Sequence, residues 1–233
     1  MHLEKCNYPC PNRASCYFIK RNQHEGEIDA VRVRNKVLCS GYKVYESVCQ
    51  LTEKDYRITL LKSLKNYSIT LSYLWFLKPK FRSALIRIPK EQLQVSIYNL
   101  EQSQDLPSLQ KLFLIKDTES FNEFTMIVSK GIENIHFNID TEWISKEKLE
   151  ELLTWTKSFK SNVSFDSCLT SWLVNGECPY KKDYIDISYD GTLRKCPFKK
   201  DNIGNLSQIR IEDAFLIDSK CDCVYKTIFG GQK

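Results

Sequence analysis

Ten cysteines against three histidines in 233 residues make sulfur, rather than imidazole, the donor of any metal chemistry in this chain. They fall in three groups: Cys6, Cys10 and Cys16; Cys39 and Cys49; and Cys168, Cys178, Cys196, Cys221 and Cys223. Four thiolates converging on one centre fit tetrahedral zinc or an iron–sulfur cluster, because soft sulfur donors stabilise both and each requires deprotonated cysteine. Spacing alone does not separate the two. Zinc modules usually show a Cys-x2–4-Cys pair, which occurs here only as Cys6-Asn-Tyr-Pro-Cys10, so iron–sulfur ligation leads. Buried structural thiols are the plainer alternative, and the concentration of the terminal group near turns argues against it.

Composition narrows the function classes. With 42% hydrophobic and 27% charged residues, the chain closes a sizeable core as one or two domains, which excludes wholesale disorder and a disulfide-stapled miniprotein. The net charge of +5 arises from 34 basic and 29 acidic residues interspersed along the chain, so a nucleic-acid partner is permitted but not indicated. The longest apolar stretch, residues 71–77, stops at Lys78 and Pro79, far short of the roughly 20 residues that cross a membrane. Residues 1–6 carry no apolar leader core, so reduced thiols in a cytoplasmic protein are the expectation. Cys39 and Cys49 are then expected in the core, with a disulfide or a separate metal as alternatives. His2, His24 and His136 are expected to be structural or solvent-facing, and Trp75, Trp143, Trp155 and Trp172 to pack.

These residues need elements to position them. Residues 18–48 look irregular, and a helix is expected over 52–65, with Thr52 as N-cap and Asp55 three residues on. A β-rich run at 67–77 follows, then short strands at 84–88, 94–99, 111–115, 124–128 and 134–139. The clearest helix covers 145–159, where Leu149, Leu152, Leu153 and Thr156 share one face opposite Lys146, Glu147, Lys148 and Glu150. A strand at 162–166 leads into Cys168 and sets it at the C-terminal edge of an α/β layer, where such folds build sites. Beyond it, residues 184–189 and 192–196 flank Asp190-Gly191 as a hairpin that bears Cys196. Gly204-Asn205 reads as a turn, Lys199-Lys200-Asp201 as a solvated loop and 211–217 as a short helix. The expected organisation is α/β over residues 1–166 and a small second domain over 167–233, in which a metal or cluster could supply folding free energy.

In chain order, Ser167-Cys168, Gly176-Glu-Cys178, residues 185–191, Lys195-Cys196-Pro-Phe198 and Ile203-Gly-Asn205 resemble the auxiliary-cluster extension of radical S-adenosylmethionine enzymes, called SPASM or, when shorter, twitch. Leu3-Glu-Lys-Cys6-Asn7-Tyr-Pro-Cys10, followed by Cys16, resembles the start of the same enzymes. Here the spacing is Cys-x3-Cys-x5-Cys where the family usually has Cys-x3-Cys-x2-Cys, and no Gly-Gly-Glu segment follows the first strand. The likeness covers about the last 65 residues by motif and the middle by architecture alone.

The resemblance implies a shortened partial (β/α) barrel with a cysteine-rich hairpin extension. By it, Cys6, Cys10 and Cys16 would bind three irons of a [4Fe–4S] cluster and leave the fourth open for S-adenosylmethionine. Cys168, Cys178 and Cys196, with Cys221 or Cys223, would hold a second cluster. An external electron donor would drive cleavage of S-adenosylmethionine to a 5′-deoxyadenosyl radical that removes hydrogen from substrate. A peptide or protein substrate is preferred over a small metabolite, because the extension is common in peptide-modifying members. The competing expectation is a non-catalytic iron–sulfur or zinc-binding interaction protein, in which a fourth protein ligand closes the N-terminal centre.

Overall fold

The structure is a computed structural model that describes residues 1–4, 10–11, 26–48, 51–52, 54–158, 164–180, 184–198, 201–218 and 223–229. Its main layer is a six-stranded sheet of β1 (Val44–Val48), β2 (Tyr67–Ser72), β3 (Leu93–Ile97), β4 (Gln110–Ile115), β5 (Ile135–Ile139) and β6 (Ser164–Phe165). Every neighbouring pair is parallel and the spatial order is the chain order. The connections carry α1 (Ala30–Cys39) before β1, then α2 (Arg57–Ser63), α3 (Pro79–Leu85), α4 (Leu100–Gln104), α5 (Thr118–Ser129) and α6 (Lys146–Ser158), with α7 (Ser167–Asn175) after β6. A smaller antiparallel sheet follows, made of β7 (Asp186–Ile187), β8 (Thr192–Arg194) and β9 (Gly204–Asn205), then α8 (Ile211–Leu216) and α9 (Val224–Phe229). Among the described residues, no helix is long and apolar enough to cross a membrane.

The register divides the large sheet into two chemically different faces. Val95, Lys111 and Ile135 lie side by side across β3, β4 and β5, as do Ile97, Phe113 and Phe137, and Phe137 aligns with Phe165 of β6. Phe124 of α5 meets Phe137 edge-on with ring centroids 4.8 Å apart, so this is the face the helices cover. On the other face Ser47, Thr70, Gln94, Ser96, His136, Asn138 and Ser164, most of them half-buried, flank Leu112 and Leu114 of β4. Sequential order with crossovers of one hand carries the helices on one side only, which leaves the second face for small polar side chains rather than a second helical layer.

Several elements differ from expectation for identifiable reasons. Residues 84–85 close a helix and 86–88 turn, while 124–128 are helical: Pro79 starts α3 and buries Phe81 and Leu85 four residues apart, and Asp117 with Ser120 forms a capping box ahead of Phe121, Phe124, Ile127 and Val128. Tertiary burial selects the 3.6-residue period in both. The segment expected to be irregular contains α1, capped by Asp29, and β1. Asp55 accepts from Thr52 N at 3.4 Å and also pairs with Arg57, and α2 begins at Arg57. β2 ends at Ser72 and a 3-10 turn takes over at Tyr73. Gly204-Asn205 forms an edge strand rather than a turn. Cys39 is exposed at the end of α1, not in the core.

Beneath α1 and α2 lies a buried ion network. Arg34 of α1 donates through Nε and Nη2 to the two carboxylate oxygens of Glu46, at 2.7 and 2.5 Å, with both side chains at most 1% exposed. Tyr67 donates to Glu46 at 2.5 Å, Arg57 stands 3.8 Å from the same carboxylate, and Arg57 also holds Asp55. Burial opposes ionisation of Glu46, but the Arg34 fork, the Tyr67 hydroxyl and the Arg57 charge outweigh it and hold its carboxyl below the ordinary 4.5. Glu4 joins the edge of this network, accepting from Arg57 at 3.1 Å.

A lowered folded-state value means that this carboxylate's stabilisation is present above about pH 4.5 and is lost as pH falls through the folded value. Arg34→Met should therefore cost about 3 kcal/mol in urea unfolding at pH 7, with the gap to the parent narrowing on acidification below pH 4.5. A second prediction concerns β9. Gly204 has φ 146°, and a Cβ there would stand 2.1 Å from Ile209 Cδ1, so Gly204→Ala should lower unfolding free energy by about 1–3 kcal/mol in the same assay.

Candidate functional site

Short βα connections form one rim at the C-terminal ends of the parallel strands. Asn99 after β3 caps α4 by accepting from Gln102 N at 3.0 Å, Asp117 after β4 caps α5 from Ser120 N at 2.8 Å, and Asp166 after β6 caps α7 from Leu169 N at 2.9 Å. Each cap ends a strand sharply and fixes the adjacent side chains over the sheet edge, where parallel α/β folds bind their ligands.

Cys10 reaches this rim. Its Sγ lies 3.4 Å from the Tyr98 hydroxyl just beyond β3, and that hydroxyl lies 3.0 Å from Ser72 Oγ at the end of β2. The segment before it is held on both sides. The Met1 amine donates to Tyr45 O at 2.7 Å, Ser47 N donates to Met1 O at 2.9 Å, and His2 N donates to Ile187 O at 2.9 Å. The first residues thus run between β1 and β7, and His2, expected to be structural or solvent-facing, is buried there. Cys6 and Cys16 lie outside the described residues, as do Cys49, Cys221, His24 and Lys199-Lys200.

Cys168, in the first turn of α7, is buried beneath the rim directly after β6. The elements bearing the other terminal cysteines gather around it. Tyr180, two residues after Cys178, lies 2.5 Å from Ser167 Oγ through its hydroxyl, and its ring lies 6.4 Å from that of Phe198, two residues after Cys196. Tyr225 of α9 is buried, and its hydroxyl is within electrostatic reach of both Cys168 and Cys223. Trp172 of α7 stacks on Phe229 of α9 at 6.4 Å. Cys178, Cys196 and Cys223 are half-buried. Among the described residues, no three His, Cys, Asp or Glu side chains meet closely enough to hold a single metal ion.

Two groups here escaped sequence reasoning. Asp166 is 3% exposed, and burial pushes its carboxyl up to about 6 despite backbone donors from Leu169, Ile139 and Cys168 and the Tyr225 hydroxyl 3.4 Å away. Tyr225 is pushed above its ordinary value first by burial and then by the charge that Asp166 and Cys168 each carry when ionised. An Asp that ends a strand two residues before a cysteine is a readable N-cap, whereas nothing local marks Tyr225. His136 lies on the polar face with Nδ1 2.8 Å from Ser164 Oγ, and burial lowers its pKa, which favours the neutral ring. A cavity of about 910 Å³ lies beside the start of β1, lined by Val37, Val44, Tyr45, Ile187, Ile211 and Phe215, and none of the described cysteines lines it.

No protein-family model and no curated protein matches the chain. Among solved structures, it is similar to the crystal structure of Streptococcus suis SuiB bound to S-adenosylmethionine, with a TM-score of 0.39 and 10% identity over 89% of this chain and 73% of that one.

Proposed function

We propose that this protein is a radical S-adenosylmethionine enzyme, with residues 1–166 as a shortened partial (β/α) barrel and residues 167–233 as an auxiliary-cluster extension of SPASM or twitch type. The observation that carries the reading is the placement of two cysteines on one rim. Cys10 lies over the C-terminal ends of β2 and β3, and Cys168 follows the C-terminal end of β6. Between them spreads a sheet face on which hydroxyl, amide and imidazole groups flank Leu112 and Leu114 of β4. That face offers donors and acceptors to a polar ligand, which an apolar core layer would not.

The donor set fits iron–sulfur ligation, being sulfur throughout at both ends of the rim. Cys6, Cys10 and Cys16 would hold the first cluster, and Cys168, Cys178, Cys196 and one of Cys221 and Cys223 the second. When bound, the first cluster would supply the electron that cleaves the sulfonium C–S bond of S-adenosylmethionine, giving methionine and a 5′-deoxyadenosyl radical that leaves as 5′-deoxyadenosine after taking a substrate hydrogen.

The chain's own residues do the rest. The polar face would orient cofactor and substrate, and the capped loops hold the rim rigid so that the reacting carbon stays close to the cleaved bond. Neutral His136 and the hydroxyls beside it offer hydrogen bonds without adding charge. A peptide or protein is the favoured substrate class, with an external electron donor as partner.

Purification without oxygen, followed by counting iron and sulfide and measuring 5′-deoxyadenosine after chemical reduction, tests the reading. Iron and product are both expected, and replacing Cys6, Cys10 and Cys16 together by Ala should reduce product to background while preserving part of the cluster absorption. Iron without cofactor cleavage would instead identify a non-catalytic iron–sulfur protein.

A further inference from the structure

The Tyr98 hydroxyl sits between two partners, Cys10 Sγ at 3.4 Å and Ser72 Oγ at 3.0 Å. Its backbone is fixed as well. Tyr98 N donates to Gln102 Oε1 at 2.8 Å, Gln102 N donates to Asn99 Oδ1 at 3.0 Å, and Leu100 N donates to Glu123 Oε1 at 2.5 Å. The phenol is thus carried on a turn clamped three times over, and Ser72, 7% exposed, approaches from the adjacent strand. Neither residue was marked by the sequence.

The hydrogen count gives the chain a direction. A phenol has one proton to donate, and a ligating cysteine is a thiolate with none. If Cys10 ligates iron, Tyr98 must donate to sulfur, and Ser72 must then donate to the Tyr98 oxygen. The relay runs Ser72 O–H to Tyr98 O, and Tyr98 O–H to Cys10 S⁻. Such a bond withdraws electron density from the ligand sulfur, and it strengthens when the cluster gains an electron and the sulfur becomes more negative.

We propose that Tyr98, oriented by Ser72, is a positioning residue that raises the reduction potential of the cluster held by Cys10. This deepens the function proposed above and depends on Cys10 being a cluster ligand. The bond would make reduction easier for the donor and help keep the Cys10 sulfur at the ends of β2 and β3. Polar groups beside metal-bound sulfur are a recognised means of setting redox potential.

The test is an electron paramagnetic resonance redox titration of the full chain, reconstituted without oxygen, with the signal assigned by its loss in Cys10→Ser. Tyr98→Phe keeps the ring and removes the proton. It should retain parent iron and sulfide content, and at a fixed applied potential its ratio of reduced to oxidised cluster should fall about tenfold, a negative shift of about 59 mV for a one-electron couple. Ser72→Ala should move the potential in the same direction by less, which keeps the test decisive if the Tyr98 variant folds poorly. Unchanged midpoints in both variants, with iron content preserved, overturn the role of Tyr98 and leave the cluster assignment standing. Absence of a Cys10-dependent cluster in the parent protein overturns that assignment and the Tyr98 role with it.

Discussion

The pairing of the first three residues between two sheets is the constraint on which the remaining arrangement depends. Met1 bonds to Tyr45 and Ser47 along the edge of β1, and His2 bonds to Ile187 of β7. Leu3 is buried in the same core that runs under the parallel sheet and reaches Ile187 and Leu193 of the hairpin. Six residues after Glu4, Cys10 meets Tyr98 at the rim. The pairing also joins β1 to β7, so residues 1–3 and the hairpin that leads to Cys196 share one support. Ile28, on the far side of the cysteine segment, returns to the same place through a 2.8 Å bond to Tyr189 O.

The energetics of that support are divided between apolar burial and charge. Phe113, Phe124, Phe137 and Phe165 form an aromatic cluster under the centre of the sheet, whereas the β1–β2 end is stiffened by Arg34, Glu46, Arg57 and Tyr67. Buried ion pairs add little net stability over a well-packed apolar equivalent, but they tolerate few alternative arrangements. Glu4 touches this network through Arg57, so the same charges that fix the first helix pair also hold Glu4.

Much of the scaffold was legible in the sequence. β3, β4, β5, α6 and the hairpin follow directly from alternation, amphipathic spacing and Asp190-Gly191, where Gly191 takes φ 80°. α3 and α5 were mistaken for strands because five-residue windows around Leu85 and Phe124 are apolar in either period. Only the burial of Phe81 with Leu85, and of Phe121 with Phe124 and Val128, distinguishes the two. The cysteine groups were legible as donors, since residue type and grouping are sequence properties. Tyr98, Ser72 and Tyr225 were not, because each gains its role from a partner on another element: Cys10 for the first two, and Asp166, Cys168 and Cys223 for the third. The division of the sheet into two faces lay in the alternation, yet which residues stand side by side on each face emerged only once the strand order put all six in register.

The central claim is that the N-terminal cysteines hold a cluster with one iron left open to S-adenosylmethionine. The most direct measurement is electron–nuclear double resonance on the reduced protein after adding S-adenosylmethionine labelled with ¹⁵N or ¹⁷O in its methionine portion. The account predicts hyperfine coupling from the label to the cluster, present in the parent chain and lost when Cys10 is replaced. A cluster whose spectrum shows no label coupling would mean that every iron is closed by protein, and would contradict it.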